Sequence, residues 1–117
     1  MRAAAAQDGI VLLPLSGFRS VARQTVLIRA KLAAGQSLES ILQLVAAPGF
    51  SEHHTGYALD IGSPEDMRLA EKFDRTAAFR WLRRQAGKFG FRLTFPRVNP
   101  HGIAFEPWHW CWHAGAA

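Results

Sequence analysis

The chain has 117 residues, of which 49% are hydrophobic and 20% charged, a composition typical of one soluble globular domain rather than a disordered tail. The formal charge is +5, but the basic residues are spread thinly along the chain, which favours a solvated basic surface and predicts no nucleic-acid partner. The sequence contains no run of about eighteen apolar residues, so it predicts no membrane span. Its single cysteine excludes an internal disulfide. We expect a monomer with one domain, residues 1–117.

The first nine residues lack the apolar centre of a secretory signal. They therefore predict a cytoplasmic protein, unless a leader lies outside this sequence, in which case the periplasm or cell envelope is expected.

The first half of the chain predicts a strand followed by two helices. The evidence is an apolar run, then apolar residues at helical spacing bounded by serine at each start and by glycine or proline at each end. The predicted elements are a buried strand from Ile10 to Leu15, a helix from Ser20 to Gly35 and a helix from Ser37 to Pro48.

The second half predicts a mixture of strands and helical segments. Residues alternate between two faces from Tyr57 to Ile61, and Ser63-Pro64 has the form of a helix N-cap with proline in the first turn. The further expected elements are two helical segments broken near Phe73, the second ending at Gly87 or Gly90, and strands at Phe91–Phe95 and Ile103–His113. Helices early and strands late indicate an α+β domain with a small, mainly antiparallel sheet.

One polar residue stands out on the strand that begins at Tyr57. Asp60 faces away from Leu59, and a carboxylate pointing inward from an apolar strand is costly unless something pairs with it. A cation explains it economically. A sharp turn at Gly56 would let His53 reach the same ion, and His109 supplies a third ligand. Two histidines and one carboxylate leave a position on zinc open for water, as hydrolysis requires.

Glu106 lies three residues before His109 and is the candidate general base for that water. Pro107 between them breaks strand alternation, so both side chains can converge on one point.

Two other metal arrangements are possible. His54 could replace His53 as a ligand. His109, Cys111 and His113 alternate onto one strand face and could form a structural zinc site, although a spacing of about 6.5–7 Å between alternate strand residues strains such a site. The opposite face of this strand is expected to belong to the core and carries Trp108, Trp110 and Trp112; His101 is expected in a loop.

Four blocks of residues occur in a family-like order between about Gly9 and Trp112. They are Ser16-Gly17-Phe18-Arg19-Ser20 with Gln24, Ser51-x-His53-x-x-Gly56-x-Ala58-x-Asp60, Trp81-Leu82 with Gly90-Phe91, and Glu106-x-Trp108-His109. Together these blocks resemble the VanY-like D-alanyl-D-alanine carboxypeptidases, zinc peptidases related to the vancomycin-resistance D,D-peptidases.

The resemblance implies an α+β fold of the hedgehog and D,D-peptidase type, with a zinc cleft across the sheet. It implies one Zn²⁺ ion held by His53, Asp60 and His109, with Glu106 as the base that later protonates the leaving amine.

Further residue roles follow from the same resemblance. Arg19 would stabilise the oxyanion, and Ser51 and Gln24 would hold the substrate. Cys111 stands where the family commonly carries a longer residue, so a change in the substrate-side wall of the cleft is expected.

The implied substrate is a D-Ala-D-Ala-type bond in a peptidoglycan stem peptide or precursor. Alternatives are an L,D-carboxypeptidase, an endolysin-type peptidoglycan peptidase and a non-catalytic, zinc-bearing module that binds the cell wall. Non-haem iron oxygenases also use two histidines and a carboxylate, but they usually place histidine and carboxylate two residues apart, whereas His53 and Asp60 are seven apart.

Overall fold

The computed structural model describes residues 1–98 and 104–113. Within them one four-stranded antiparallel sheet has the strand order β1-β2-β4-β3. The strands are β1 Leu13–Ser16, β2 Ala58–Gly62, β3 Phe91–Leu93 and β4 His109–Trp112. Helices accompany this small sheet, so the predicted α+β class is confirmed.

The α-helices of the described part of the chain are α1 Arg2–Gln7, α2 Val21–Ala33, α3 Leu38–Leu44 and α4 Ala77–Gln85. A serine or threonine hydroxyl caps three of them by accepting a backbone N–H in the first turn: Ser20, Ser37 and Thr76. Within residues 1–98 and 104–113, no helix is both long enough and apolar enough to cross a membrane.

One helix was not predicted, and another ends earlier than predicted. Helix α1 was not predicted, since Ala5 is its only buried residue and no apolar stripe marks it. Helix α3 ends at Leu44 rather than continuing to Pro48, because Val45 already has an extended backbone.

The predicted buried strand at Ile10–Leu15 is wrong in position and in burial. Strand β1 begins at Leu13, and its central residues Pro14 and Leu15 are exposed. The reason is its place at the sheet edge, where it pairs with β2 alone and where proline, which lacks an N–H, is tolerated.

The helix predicted to begin at Ser63 is also absent. Ser63 and Asp66 instead exchange two backbone hydrogen bonds of 3.1 and 3.0 Å, which close a tight turn. Pro64 is the second residue of this turn, a position that suits its fixed φ as well as a helix start does. A short 3-10 helix, Glu71–Arg75, then leads into α4.

The hydrophobic core lies between the sheet and α4. Trp108 and Trp110 belong to it, with Phe73, Phe79 and Leu82 among their partners. The core placement predicted for the third tryptophan is wrong: Trp112 is 38% exposed and packs on Tyr57 at the end of β4, with ring centroids 5.6 Å apart.

The last predicted strands are longer than the observed ones. Strand β3 ends at Leu93, and β4 begins only at His109, after a turn in which the His109 N–H donates to the Glu106 carbonyl at 3.2 Å. The predicted start at Ile103 and the loop position of His101 lie outside the described residues.

Candidate metal centre and catalytic cleft

Strand register brings two of the candidate ligands together. Asp60 of β2 lies directly opposite His109 of β4 in the antiparallel ladder. Directly opposed residues point to the same face with Cβ atoms about 4.5–5.5 Å apart. The Nδ1 atom of His109 is accordingly 3.4 Å from Oδ1 of Asp60.

His53 reaches the same point from a 3-10 helix, Glu52–Thr55, that precedes β2. Ser51 caps this helix by accepting the His53 N–H at 3.1 Å. Gly56 ends it with φ of +80°, a left-handed conformation that glycine adopts without steric cost and that turns the chain into β2. As a result, Nε2 of His53 lies 3.1 Å from Oδ1 of Asp60.

The loop after β1 fixes which nitrogen of His53 can bind a metal. The Gly17 carbonyl lies 2.7 Å from Nδ1 of His53, and a carbonyl can only accept, so Nδ1 carries the proton. Nε2 is therefore the nitrogen that can bind a metal, and it faces Oδ1 of Asp60. The Arg19 N–H also donates to the His53 carbonyl at 2.9 Å, which ties this loop to the short helix.

His54 has both ring nitrogens in use. Its Nδ1–H donates to the Arg19 carbonyl at 2.6 Å, and its Nε2 accepts the Gly49 N–H at 3.1 Å. His54 thus links the backbone at Arg19 to the backbone at Gly49, and neither of its ring nitrogens has a lone pair left for an ion.

The three candidate ligands fit zinc. One ligand atom each from His53, Asp60 and His109 lies within 4.8 Å of the other two, and all three residues are buried. Zinc–nitrogen and zinc–oxygen bonds of about 2.0–2.2 Å in a tetrahedron imply ligand atoms roughly 3.4 Å apart. The separations of 3.1 and 3.4 Å from Asp60 to the two rings are close to that value. Cys111 is not part of this group.

Glu52 orients His109, a role that sequence reasoning missed. Nε2 of His109 donates to Oε1 of Glu52 at 2.9 Å, and the Thr94 hydroxyl donates to the same oxygen at 2.7 Å. A carboxylate on the second nitrogen of a ligating histidine fixes the ring and raises its basicity. A metal-binding histidine usually has a carboxylate or carbonyl on its second nitrogen, and this expectation could have drawn attention to Glu52.

The electrostatics match a cation site. Burial alone would raise the pKa of Asp60, but hydrogen bonds from His109 and His53 hold it below its ordinary value. Burial would likewise lower the pKa of His109, yet hydrogen bonds to Asp60 and Glu52 raise it to about 9. The metal-free site therefore holds a proton where a dication would bind.

Glu106 lines the same cleft and is 4% exposed. Its N–H donates to the Phe95 carbonyl at 3.0 Å, which fixes the backbone before β4. Burial raises the pKa of its carboxyl to about 8, and Asp60 adds to the rise while His109 opposes it. A carboxyl with a raised pKa is a stronger base when ionised.

Arg19 is held beside the candidate metal ligands by two residues. Its guanidinium donates to Oε1 of Gln24 at 2.9 Å and to Oγ of Ser16 at 3.2 Å, and lies 4.0 Å from Oδ2 of Asp60. Gln24 is 1% exposed and also donates to the Ala46 carbonyl at 2.7 Å. This geometry gives Gln24 an orienting contact with Arg19, and its predicted contact with substrate stays a prediction.

The three candidate ligands share a cleft of about 280 Å³ with Glu106 and Arg19. Ser51 and Gln24 also line it. Cys111 is buried and is not among the residues that line the cleft, and the expected change in the cleft wall stays a prediction. Burial alone would raise the pKa of Glu52, but hydrogen bonds from His109 and Thr94, with a smaller contribution from the Cys111 thiol, hold it below its ordinary value.

The comparison with known families decides the relationship. The model of the family VanY, D-alanyl-D-alanine carboxypeptidase, matches residues 1–115. The chain belongs to this family. The resemblance identified from the four sequence blocks is thereby confirmed.

Two relatives illustrate the VanY family membership. The putative carboxypeptidase YodJ of Bacillus subtilis is 37% identical over 110 residues, which cover 91% of this chain and 40% of YodJ. A D-alanyl-D-alanine carboxypeptidase of Enterococcus faecium is 33% identical over 80% of this chain and 27% of its own length. The chain thus spans less than half the length of these relatives.

Solved structures show the same fold. The LdcB LD-carboxypeptidase superposes with a TM-score of 0.83 at 34% identity, covering 94% of this chain and 52% of LdcB. A mutant of the vancomycin-resistance D,D-pentapeptidase VanY, solved in complex with Zn(II), has a TM-score of 0.77 at 28% identity, covering 95% of this chain and 65% of its own.

Proposed function

We propose that the chain is a zinc-dependent carboxypeptidase that hydrolyses a D-Ala-D-Ala-type peptide bond in peptidoglycan stem peptides or their precursors. The observation that carries the proposal is the convergence of His53, Asp60 and His109 within 4.8 Å, in one cleft with Glu106. A single Zn²⁺ ion suits these three ligands.

Glu106 would act as the general base. Zinc held by these residues would supply Lewis acidity and would lower the pKa of a coordinated water to about 7. A nearby dication also favours the ionised carboxylate, so Glu106 can take the water proton at neutral pH. The same group can then protonate the leaving amine, because it is the proton-bearing group at that stage.

Arg19 would stabilise the charge that develops on the carbonyl oxygen. Gln24 and Ser16 hold its guanidinium in place before substrate arrives, so little reorganisation is needed. Ser51 lines the cleft, and its hydroxyl proton is available to a substrate oxygen because the oxygen accepts from His53. The joint presence of Glu106 and Arg19 favours catalysis over a module that only binds the wall.

The relatives support a D,D-peptide substrate. A VanYB structure is in complex with D-alanine-D-alanine, at 28% identity and a TM-score of 0.76. L,D-carboxypeptidase action on a tetrapeptide is the second candidate, since the LdcB LD-carboxypeptidase and the L,D-carboxypeptidase DacB of Streptococcus pneumoniae are also structural neighbours.

The test is a panel of defined stem peptides incubated with zinc-loaded protein and analysed by mass spectrometry. We expect loss of one terminal D-alanine from a pentapeptide and no cleavage after zinc is removed by a chelator. Cleavage of the tetrapeptide alone would replace the D,D assignment by the L,D one. Stoichiometric iron in the purified protein, with oxygen-dependent turnover, would overturn the peptidase proposal.

A further inference from the structure

One face of α2 extends the cleft away from the metal ligands. Gln24, Leu27 and Lys31 all line the cleft, and their spacing of three and then four residues places them on one side of the helix. Gln24 marks the metal end, because it holds Arg19 beside Asp60.

Lys31 stands at the far end of this face. It is seven residues beyond Gln24, which is about 10 Å along the helix axis. Its side chain is half-buried, whereas Arg29 and Ala30 beside it are exposed. Within the described residues no carboxylate lies within 4 Å of its ammonium group. Lys31 therefore places a positive charge in the cleft that these residues do not neutralise.

The position of Lys31 selects one side of the substrate. A carboxypeptidase releases a single terminal residue, so a subsite about 10 Å from the metal end accommodates the acyl side of the scissile bond. An extended peptide advances about 3.3–3.6 Å per residue. Lys31 thus lies opposite a substrate group roughly two to three residues before the bond that breaks.

We propose that Lys31 is a specificity-determining residue that binds a carboxylate carried by the substrate two to three residues on the acyl side of the scissile bond. The inference rests on the proposed carboxypeptidase function. Stem peptides can present such a carboxylate in two ways: the free α-carboxylate of a γ-linked glutamate, or the second carboxylate of a diamino diacid. Leu27, Leu44 and Val45 line the same cleft with apolar side chains, and the cleft's other cation, Arg19, is held at the metal end by Gln24. Lys31 is therefore the cation placed to bind a charge at the far end.

The experiment compares zinc-loaded wild type, Lys31→Met and Lys31→Arg on two pairs of peptides ending in D-Ala-D-Ala. One pair differs only in carboxylate against amide at the γ-linked glutamate, and the other only at the diamino diacid. We expect Lys31→Met to lower kcat/KM about fivefold on the carboxylate member of one pair, the size of one partly exposed charge pair. Its amide member should be unaffected, Lys31→Arg should retain the preference, and added salt should weaken it.

Arg29→Met is the matched control, because Arg29 is an exposed cation on the same helix that does not line the cleft. It should leave kcat/KM unchanged. Equal loss on carboxylate and amide peptides in Lys31→Met, or no loss on either, overturns the inference while the proposed function stands. Failure of the wild type to cleave any peptide counts against the proposed function instead. Binding titrations of the same peptides to wild type and Lys31→Met then decide the role of Lys31.

Discussion

The two faces of the β2–β4 pair are equally buried but are stabilised in different ways. Asp60 and Ile61 are each 3% exposed, as are His109 and Trp110. Ile61 and Trp110 belong to the hydrophobic core, where Trp110 packs against Phe79 with ring centroids 6.3 Å apart. Asp60 and His109 face the cleft and are stabilised by directed polar contacts.

The difference lies in where the partners come from. Apolar side chains need only close packing, which many neighbours can supply. Each buried polar group needs a partner at a defined atom. Asp60 and His109 contact each other, but their further partners, His53 and Glu52, lie off the two strands. Those two residues are held in turn by the Gly17 carbonyl and the Thr94 hydroxyl. The apolar face thus determines stability, and the polar face together with its surrounding loops determines chemistry.

Among the substitutions, Glu106→Gln on the polar face should have the largest effect, a loss of turnover. Loss of a general base slows turnover about 10²–10⁴-fold, whereas zinc should stay bound because the three ligands are untouched. Steady-state hydrolysis and metal content measure the two quantities. Glu71→Gln, an exposed acidic control, should change neither. Undiminished hydrolysis by Glu106→Gln would show that the base is wrongly assigned.

Leu82→Ala should lower the stability of the core on the apolar face and leave zinc binding on the polar face unchanged. Leu82 is 0% exposed within the core, and truncating such a leucine costs about 2–5 kcal/mol of unfolding free energy. Denaturant unfolding of the metal-free protein measures the loss. Leu38→Ala, at a position that is 51% exposed, should stay within about 0.5 kcal/mol. Folded Leu82→Ala should still bind zinc like the wild type; a weakened site with unchanged stability would contradict the separation of the two faces.

Glu52→Gln should weaken zinc binding about tenfold, the lower end for loss of a partner to a ligating histidine. The amide still accepts the His109 hydrogen bond, but the negative charge that raises the basicity of the ring is gone. Competition with a chelating dye measures the affinity, and Glu65→Gln in the exposed turn is the control. Unchanged zinc affinity would mean that Glu52 does not act on the metal through His109.

A further prediction concerns how the stability of the metal-free protein depends on pH. The folded-state pKa of about 8 for Glu106 and about 9 for His109 lie above their ordinary values of 4.5 and 6.5. Both groups therefore stabilise the fold fully below those ordinary values, and this contribution is lost as pH rises through the folded values. We expect the Tm in chelator to fall between about pH 4.5 and 9, with a shallower fall below about pH 8 in Glu106→Gln. A flat or rising Tm would contradict these shifts.

Local signals predicted local structure well. Helix α2 carries its own cap at Ser20, and Gly35, with φ of +92°, follows its end. Asp60 and His53 were selected because a buried charge needs a partner and because Gly56 can turn the chain. Each of these inferences uses residues that are near one another in sequence.

Features that depend on contacts between residues far apart in the sequence were harder to predict. The register that sets Asp60 opposite His109 joins strands from far apart in the chain, and the partnership of Glu52 with His109 depends on that register. Ser63-Pro64 suits either a helix start or a turn, and the pairing of Ser63 with Asp66 decided for the turn. Strand β1 was predicted to be buried because of its apolar composition, whereas its place at the sheet edge leaves its central residues exposed.

The most direct test of the central claim is anomalous diffraction at the zinc absorption edge from crystals of the zinc-loaded protein. The account predicts one strong peak about 2.0–2.2 Å from Nε2 of His53, a carboxylate oxygen of Asp60 and Nδ1 of His109. A peak on His54 or Cys111, or none in the cleft, would contradict it.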